Sequence, residues 1–297
     1  MVVRLLIAIT ILSTSVFNNI QSGAVDVSSY ADLRHGVDNP DASFISITAP
    51  FVVFPDQLDV LPRGRALVAV GSTIGASLSG GATNRMFYLH NGTRLRLRGV
   101  HLAHGRCSGC AGGAVFVGRG SELILDAVSL STSRGTLGGG IYAARSSSVT
   151  ATDCTMSSNS AERFGGAIYA EGSSMIAATN CTMSANSATM GGAAYATDNS
   201  SVVATDCTMT SNYASHAGGA LYVEGGDSVS LVIGCSLLAN VAVVSAALLA
   251  VLLFRDRPTQ KKHHLISSCV SLPAHSLAAP LSWETPAMLA HRPHGSR

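Results

Sequence analysis

The 297-residue sequence predicts an all-β protein whose strands wind into a parallel β-helix, a solenoid of about 26–28 residues per coil. One observation is a segment that occurs three times with few changes, starting at Asp153, Asn180 and Asp206. Another is that two separate residue markers recur with this same period. The third is that apolar and polar residues alternate inside the repeat with the period of a strand and not of a helix. Because one such unit cannot bury its own apolar face, successive units must stack on each other.

The markers indicate which residues stack. Coils of a β-helix lie about 4.8 Å apart, so each residue lies above its counterpart in the next coil. An inward asparagine at a turn can bond its side-chain amide to the next coil, and a glycine pair marks a bend that needs positive φ or no Cβ. The aromatic ladder is Phe116, Tyr142, Tyr169, Tyr195 and Tyr222; the asparagine ladder is Thr132, Asn159, Asn186, Asn212 and Asn240; the glycine pairs are Gly112-Gly113, Gly138-Gly139, Gly165-Gly166, Gly191-Gly192 and Gly218-Gly219.

The chain before the regular repeats divides into a leader and a cap. Residues 1–24 combine a basic residue, a short apolar run and small residues up to Ala24, which is typical of a cleaved signal peptide. Residues 25–90 carry short apolar runs between Gly, Pro, Asn and Asp, which predicts an N-terminal cap and the first coils. Ser29 is placed to cap a short helix that covers the open end of the stack. Residues 91–230 are predicted to form the regular coils.

The apolar segment 231–254 has two interpretations. It is long enough to cross a bilayer, and basic residues follow it from Arg255 as a stop-transfer signal with the basic side in the cytoplasm. The repeat nevertheless continues into it, because Cys235 and Asn240 keep their ladders. We favour a transmembrane helix over a degenerate last coil, since a soluble coil would expose a large apolar strip. Residues 255–297 show no period and are predicted to form a disordered tail.

Composition and targeting signals narrow the class of partner. The net charge is +2 and charged residues make up 12% of the chain, which gives no electrostatic basis for binding nucleic acid.

The leader and the apolar segment predict the secretory pathway, with the protein outside the cell or at its surface and, when anchored, a single span with a cytoplasmic C-terminus. Export permits disulfides and makes three sequons candidate glycan acceptors. These are Asn91, Asn180 and Asn199.

Four residues spaced by three, His101, His104, Cys107 and Cys110, form a candidate zinc site. Zinc accepts two His and two Cys ligands in tetrahedral geometry. The two histidines are closer in sequence than is usual for zinc, and His101 falls in a predicted strand. In an exported protein a Cys107–Cys110 disulfide, or a pair of free surface thiols, is the better interpretation.

A ladder of aspartates has a calcium interpretation. Asp126, Asp153 and Asp206, with Asn180 between them, could share a calcium ion through carboxylate oxygens. Aspartate in a turn beside each strand explains the same residues equally well.

A cysteine ladder runs through the same coils. Parallel neighbours in register hold their Cβ atoms about 4.8 Å apart, farther than a disulfide prefers. These cysteines are therefore predicted to act as small buried apolar residues beside a methionine ladder. The cysteines are Cys154, Cys181, Cys207 and Cys235, and the methionines are Met156, Met183 and Met209.

The repeated motifs resemble those of a known family. GGAIY, GGAAY and GGALY, paired with MSSN, MSAN and MTSN, resemble the GGA[ILV] and FxxN repeats of the chlamydial polymorphic outer-membrane proteins, which also occur in algal and protist surface proteins. Here Met replaces the Phe of FxxN. The resemblance covers about residues 112–240, and it implies a right-handed parallel β-helix similar to that of pectate lyases, with a role as an adhesin or surface antigen.

The rival functions are an interaction module and an enzyme. A sheet face rich in Ser, Thr and Asn offers hydrogen bonds to glycans or surface proteins, in an adhesive or a structural role. The resemblance also implies the alternative of a pectate lyase-like, polysaccharide-active enzyme or an inert relative of one. Such chemistry needs acids grouped at a defined separation, so no catalytic residue and no cofactor is predicted. The acids in the repeats are scattered over Glu122, Asp126, Asp153, Glu162, Glu171 and Asp206, with Arg119 and Arg163 as available bases.

Overall fold

The computed structural model describes residues 24–61, 67–71, 75–225 and 227–242. The predicted leader up to residue 23, the apolar residues 243–254 and the tail 255–297 lie outside the described residues. Ala24, assigned to the leader by the sequence pattern, begins the first strand instead.

A nine-residue helix, α1 (Tyr30–Asp38), covers the N-terminal end of the stack. Ser29 caps it, because its side chain accepts a hydrogen bond from the Asp32 amide, which satisfies a free donor of the first turn. Leu33 and Val37 on its buried face join the apolar core. The predicted capping helix is therefore confirmed. Within the described residues, no helix is long and apolar enough to cross a membrane.

All strand pairings among the described residues are parallel, and the strands form four stacked sheets, A to D, which confirms the predicted right-handed parallel β-helix. Sheet A consists of β1 (Ala24–Val27), β2 (Phe44–Ile47), β5 (Leu67–Gly71), β8 (Arg94–Arg98), β11 (Glu122–Asp126), β15 (Ser148–Thr152), β19 (Met175–Thr179), β23 (Ser201–Thr205) and β27 (Val229–Ile233). Sheet B consists of β3 (Phe51–Val53), β6 (Ser77–Ser79), β9 (His101–Ala103), β12 (Ser129–Ser131), β16 (Thr155–Ser157), β20 (Thr182–Ser184), β24 (Thr208–Thr210) and β28 (Ser236–Leu238). Sheet C consists of β4 (Leu58–Val60), β7 (Phe87–Leu89), β10 (Val115–Val117), β14 (Ile141–Ala143), β18 (Ile168–Ala170), β22 (Ala194–Ala196) and β26 (Leu221–Val223). Sheet D consists of β13 (Arg134–Leu137), β17 (Ser160–Phe164), β21 (Ser187–Met190), β25 (Tyr213–Ala217) and β29 (Val241–Ala242).

Sheet D differs from the other three because its register shifts between neighbouring strands. The pairings β13–β17, β17–β21 and β21–β25 each contain a bulge or similar irregularity. From β11 to β15 the partners are 26 residues apart, as in Glu122 and Ser148, whereas from β14 to β18 they are 27 apart, as in Tyr142 and Tyr169. Sheet D therefore absorbs the one-residue difference between coils.

The asparagine ladder runs along the inside of the turn that follows sheet B. Asn186 Oδ1 accepts from the amide nitrogen of Asn159 at 3.0 Å, and Asn186 Nδ2 donates to the Met156 carbonyl at 2.9 Å. The same bonds recur at each coil down to Asn240. The ladder begins at Ser133, whose amide nitrogen bonds to Asn159 Oδ1, and not at Thr132. Thr132 precedes it in a left-handed conformation, with φ of 51°.

The glycine pairs form a tight corner between sheets D and C. The first glycine of each pair has positive φ, 65° at Gly191. The second lies against the next coil: a Cβ on Gly192 would be 2.7 Å from the Tyr213 carbonyl oxygen, and the Gly219 carbonyl is closer still. Any side chain here would collide with backbone.

The transmembrane helix predicted over 231–254 is wrong for residues 231–242. These residues continue the solenoid, because β27 pairs with β23 and β28 pairs with β24. Cys235 and Asn240 hold this coil to the one before it, since Cys235 Sγ accepts from the Cys207 amide and Asn240 Oδ1 accepts from the Asn212 amide. The rest of the predicted span, 243–254, lies outside the described residues.

Candidate functional site

The residues of the zinc hypothesis do not form a metal site. Cys107 and Cys110 are joined as a disulfide, so they lack the thiolates that zinc binds. His101 Nε2 lies 2.8 Å from Ser131 Oγ, and burial lowers the pKa of its imidazole. Across the described ranges, no three His, Cys, Asp or Glu side chains come together as ligands.

The structure does not place Asp126 in the same ladder as Asp153 and Asp206, as the calcium hypothesis assumed. Asp126 pairs with Thr152 and not with Asp153, and its carboxylate lies 2.5 Å from Arg96 Nε. Asp153 accepts a 2.6 Å hydrogen bond from Asn180 Nδ2. Asp153, Asn180 and Asp206 instead share a turn position with φ of 52° to 55°, which Asn and Asp tolerate better than most residues. The turn interpretation therefore fits the structure.

The cysteine ladder belongs to the core. Cys154, Cys181 and Cys207 are buried free thiols, and Cys235 at the end of the stack is partly buried. Cys154 Sγ donates to the Leu125 carbonyl at 3.4 Å. A hydrogen bond with Cys154, together with burial, raises the pKa of the Cys181 thiol to about 11. The pKa of the Cys207 thiol is raised as well, first by its hydrogen bond with Cys181, whereas the hydrogen bond with Cys181 lowers the pKa of Cys154. Burial of these three side chains screens them from reactants in solution.

The aromatic ladder forms a second apolar cluster outside the main core, with side chains of sheet D packed against it. Ring centroids of successive coils lie 4.5 to 5.5 Å apart from Tyr88 to Tyr222. Tyr195 is only 1% exposed, so its ring face is closed to a ligand. The hydroxyls of Tyr142 and Tyr169 both donate to Glu171, and that of Tyr195 donates to Glu224.

Charge is segregated along the solenoid. Residues 85–163 contain nine arginines and four acidic residues, whereas residues 164–242 contain five acidic residues and neither arginine nor lysine. The N-terminal half of the regular coils is therefore basic and the C-terminal half acidic, a pattern hidden by the net charge of +2.

A cleft of about 240 Å³ lies in the basic half. Arg106 and Arg134 line it from successive coils, where they pair side by side in parallel. Both arginines are exposed, and the other lining residues, Ala82, Gly105 and Thr132, are uncharged. Two arginines thus line one opening that no carboxylate of the described residues lines, an arrangement suited to an anion. The two arginines are 28 residues apart, close to the length of one coil, and this spacing is the feature of the sequence that could have predicted their stacking.

The outward face of sheet A changes character along the axis. β8 presents Arg94, Arg96 and Arg98 outward, and the positions stacked on them become mainly hydroxyl and small residues in the middle coils. In β27 the same positions are Val229, Leu231 and Ile233, 57%, 48% and 50% exposed. The last described coil therefore has an apolar outer face.

Comparison with known families agrees with this architecture. The family model described as a right-handed β-helix region matches residues 80–237, more than half of the chain. The chain belongs to the right-handed β-helix family. No curated protein matches it.

In this β-helix protein, the acids considered for catalysis have separate structural partners. Glu122 pairs with Arg94 at 3.5 Å, and Glu162 accepts a 3.1 Å hydrogen bond from Thr136 Oγ1. Glu171 accepts from tyrosines. Of the two bases considered, Arg163 lies over the ring of Phe164 at 5.0 Å. Among the described residues, the geometry therefore does not group these acids as a pair beside either base.

Proposed function

We propose that this β-helix protein is an extracellular or cell-surface binding module whose basic half holds acidic glycans. The observation that carries the proposal is the cleft that Arg106 and Arg134 both line, with no carboxylate among its described lining residues. Carboxylate and sulfate groups accept paired hydrogen bonds from guanidinium groups. The repeats also resemble those of adhesin-like surface proteins with GGA[ILV] and FxxN motifs, and an acidic glycan is a partner that such a protein would meet outside the cell.

The basic half offers further contacts for a long polyanion. Arg98, Arg119 and Arg145 are exposed around the same coils. Arg94 and Arg96 are partly neutralised, because they pair with Glu122 and Asp126. Attraction from the free charges steers an anionic polymer to this half and away from the acidic half.

The experiment is a glycan array with the full chain, comparing acidic with neutral glycans. A double variant, Arg106→Gln with Arg134→Gln, removes the cleft charges. A matched double variant, Arg119→Gln with Arg145→Gln, removes the same charge elsewhere on the basic half. Charge-assisted hydrogen bonds contribute about 1.5–3 kcal/mol each, so losing one to each arginine should weaken binding by the cleft variant at least about 100-fold more than by the matched variant.

Three outcomes contradict the proposal. Equal binding to acidic and neutral glycans removes its electrostatic basis. Equal losses in the two double variants place the contact outside the cleft. Release of unsaturated or reducing sugar from pectic or algal polysaccharides favours the polysaccharide-active alternative.

The same proposal includes attachment to a membrane surface at the C-terminal end. It is supported by the apolar outer face of β27, by the apolar residues 243–254 and by the basic residues that follow from Arg255. Basic segments next to apolar surface favour anionic lipid. Flotation of the full chain with anionic vesicles should fall when Leu231 and Ile233 are both changed to Ser. A chain that does not float contradicts membrane attachment while leaving glycan binding unaffected.

A further inference from the structure

The disulfide between Cys107 and Cys110 is strongly asymmetric. It lies between β9 and β10, in a loop of sequence CSGC. Cys107 is 7% exposed, whereas Cys110 is exposed at the surface. A thiol from solution can therefore reach the sulfur of Cys110 and is screened from that of Cys107.

A buried arginine donates to the buried sulfur. Arg85 is 9% exposed, and its Nη2 lies 2.7 Å from Cys107 Sγ. Nη2 also donates to the Ala111 carbonyl. The other donors of this guanidinium go to neutral acceptors as well, Nε to the Gly112 carbonyl at 2.9 Å and Nη1 to Gln57 Oε1 at 2.8 Å. The rings of Tyr88 and Phe116 lie 5.4 and 5.3 Å from its central carbon.

Arg85 has no ion pair among the described residues, and Asp59 stands beyond ion-pair distance. Arginine remains charged in proteins even when burial lowers its pKa, as it does here. A buried charge is costly unless a counter-charge accompanies it. A thiolate on Cys107 would supply that counter-charge at hydrogen-bond distance.

The backbone holds both cysteines in place independently of the sulfur–sulfur bond. The Cys107 amide donates to the Arg134 carbonyl at 2.9 Å, and the Thr136 amide donates to the Cys110 carbonyl at 2.8 Å. Beyond the loop, the Gly112 amide donates to the Leu137 carbonyl at 2.8 Å. The dithiol therefore stays preorganised when the bond is broken. A bridge that closes so short a loop also adds less stability than one that closes a long loop.

We propose that the Cys107–Cys110 disulfide is redox-active and exchanges with external thiols, with Cys110 as the sulfur attacked and Cys107 as the leaving thiolate held by Arg85. The thiolate of a small thiol, or of a cysteine in another protein, attacks Cys110 Sγ. A new bond forms to Cys110, the Cys107–Cys110 bond breaks, and its electron pair goes to Cys107. A second external thiolate then attacks the external sulfur that is bonded to Cys110. This step releases the disulfide of the two external thiols and leaves Cys110 as a thiolate, which takes up a proton from solvent. The cysteine pair gains two electrons, and two external thiols are oxidised.

Attack at Cys110 is favoured because Cys107 is the better leaving group. Exchange is faster when the departing thiol has a low pKa, and a neighbouring arginine lowers the pKa of a cysteine. Among the described residues, no arginine hydrogen-bonds to a buried cysteine of the core, whose thiols donate to backbone carbonyls. The same geometry predicts that reduction is local and leaves the coils intact.

The first experiment treats the folded full chain with dithiothreitol, alkylates it with iodoacetamide and locates the modified cysteines by mass spectrometry. Cys107 and Cys110 are expected to become modified, while Cys154, Cys181 and Cys207 remain unmodified until denaturant is added. Reduction of the Cys107–Cys110 bond only together with exposure of the core thiols overturns the proposal, since the bridge would then be a structural link.

The second experiment measures the pH dependence of Cys107 alkylation in the Cys110→Ser variant. The midpoint is expected at least one pH unit below the value of about 8.5 for a free cysteine. Arg85→Gln in the same background should raise the midpoint by one unit or more, whereas Arg119→Gln, which removes an equal charge from an exposed arginine, should leave it unchanged. A merely structural role of Arg85 would not move this midpoint.

The proposal remains testable when Arg85→Gln impairs folding, as judged by circular dichroism. The pH dependence of Cys107 alkylation in the Cys110→Ser variant with Arg85 intact is then the test. A midpoint at or above about 8.5 overturns the proposal. A folded Arg85→Gln variant with an unchanged midpoint overturns it equally.

Discussion

Asn186→Ala should be among the most destabilising single changes in the middle of the solenoid. The side chain takes part in four buried hydrogen bonds: its Oδ1 accepts from the amide nitrogen and Nδ2 of Asn159, and its Nδ2 donates to the Met156 carbonyl and to Asn212 Oδ1. Alanine leaves the buried amide of Asn159 without its acceptor, at about 1–3 kcal/mol. The three other lost bonds contribute about 0.5–1.5 kcal/mol each. We expect a total loss of about 2.5–7.5 kcal/mol, which lowers Tm by at least about 5 °C for a domain of this size.

The measurement is thermal and urea unfolding of the full chain, followed by circular dichroism. Asn180→Ala is the matched control, because Asn180 is exposed and its side chain donates to the Asp153 carboxylate. It should cost no more than about 1–2 kcal/mol, chiefly because alanine tolerates the φ of 52° less well than asparagine does. Equal stability of the two variants would refute the inference that the asparagine ladder ties the coils together.

Two further predictions concern the glycine corner and the tyrosines. Gly192→Val should lower the urea midpoint of unfolding far more than Gly120→Val does. A side chain at Gly192 meets backbone, whereas Gly120 has positive φ but open space around it. Equal effects of the two variants would contradict the corner geometry. Burial, and after it the hydrogen bonds to Glu171 and Glu224, raises the pKa of Tyr142 and Tyr195 well above the usual value. Because these folded-state values exceed the unfolded value of about 10, the stabilisation is complete below pH 10 and is lost as the pH rises through the folded-state values. Urea midpoints from pH 8 to 11.5 should show this decline, and Tyr142→Phe should reduce it while Tyr213→Phe, at an exposed tyrosine, should not.

The sequence predicted the coil length and the stacked ladders because each repeat places the same residue type at the same point of the coil. It misplaced Asp126 and Thr132 by one position, since a uniform step of 27 was applied where sheets A and B step by 26. The irregularities of sheet D that absorb this difference show in the sequence only as a changing spacing between the asparagine and the glycine pair, six positions from Asn159 to Gly165 and five from Asn186 to Gly191.

The charged sites were harder to foresee than the ladders. Arg85 is 22 residues before Cys107 and contacts it only because the chain has turned through most of a coil. Arg106 and Arg134 belong to no repeated motif, yet stacking brings them to one cleft. The last coil was misjudged because its outer face is apolar, although its inner asparagine and cysteine continue the ladders.

The irregular sheet D allows the length of a coil to change by one residue. Sheets A, B and C keep their register while sheet D takes up an extra residue, so insertions and deletions of single residues there need not disturb the rest of the stack. Sheet D begins at Arg134, beside the cleft. A lineage of such proteins could therefore remodel the rim of the arginine-lined cleft residue by residue while inheriting an unchanged scaffold.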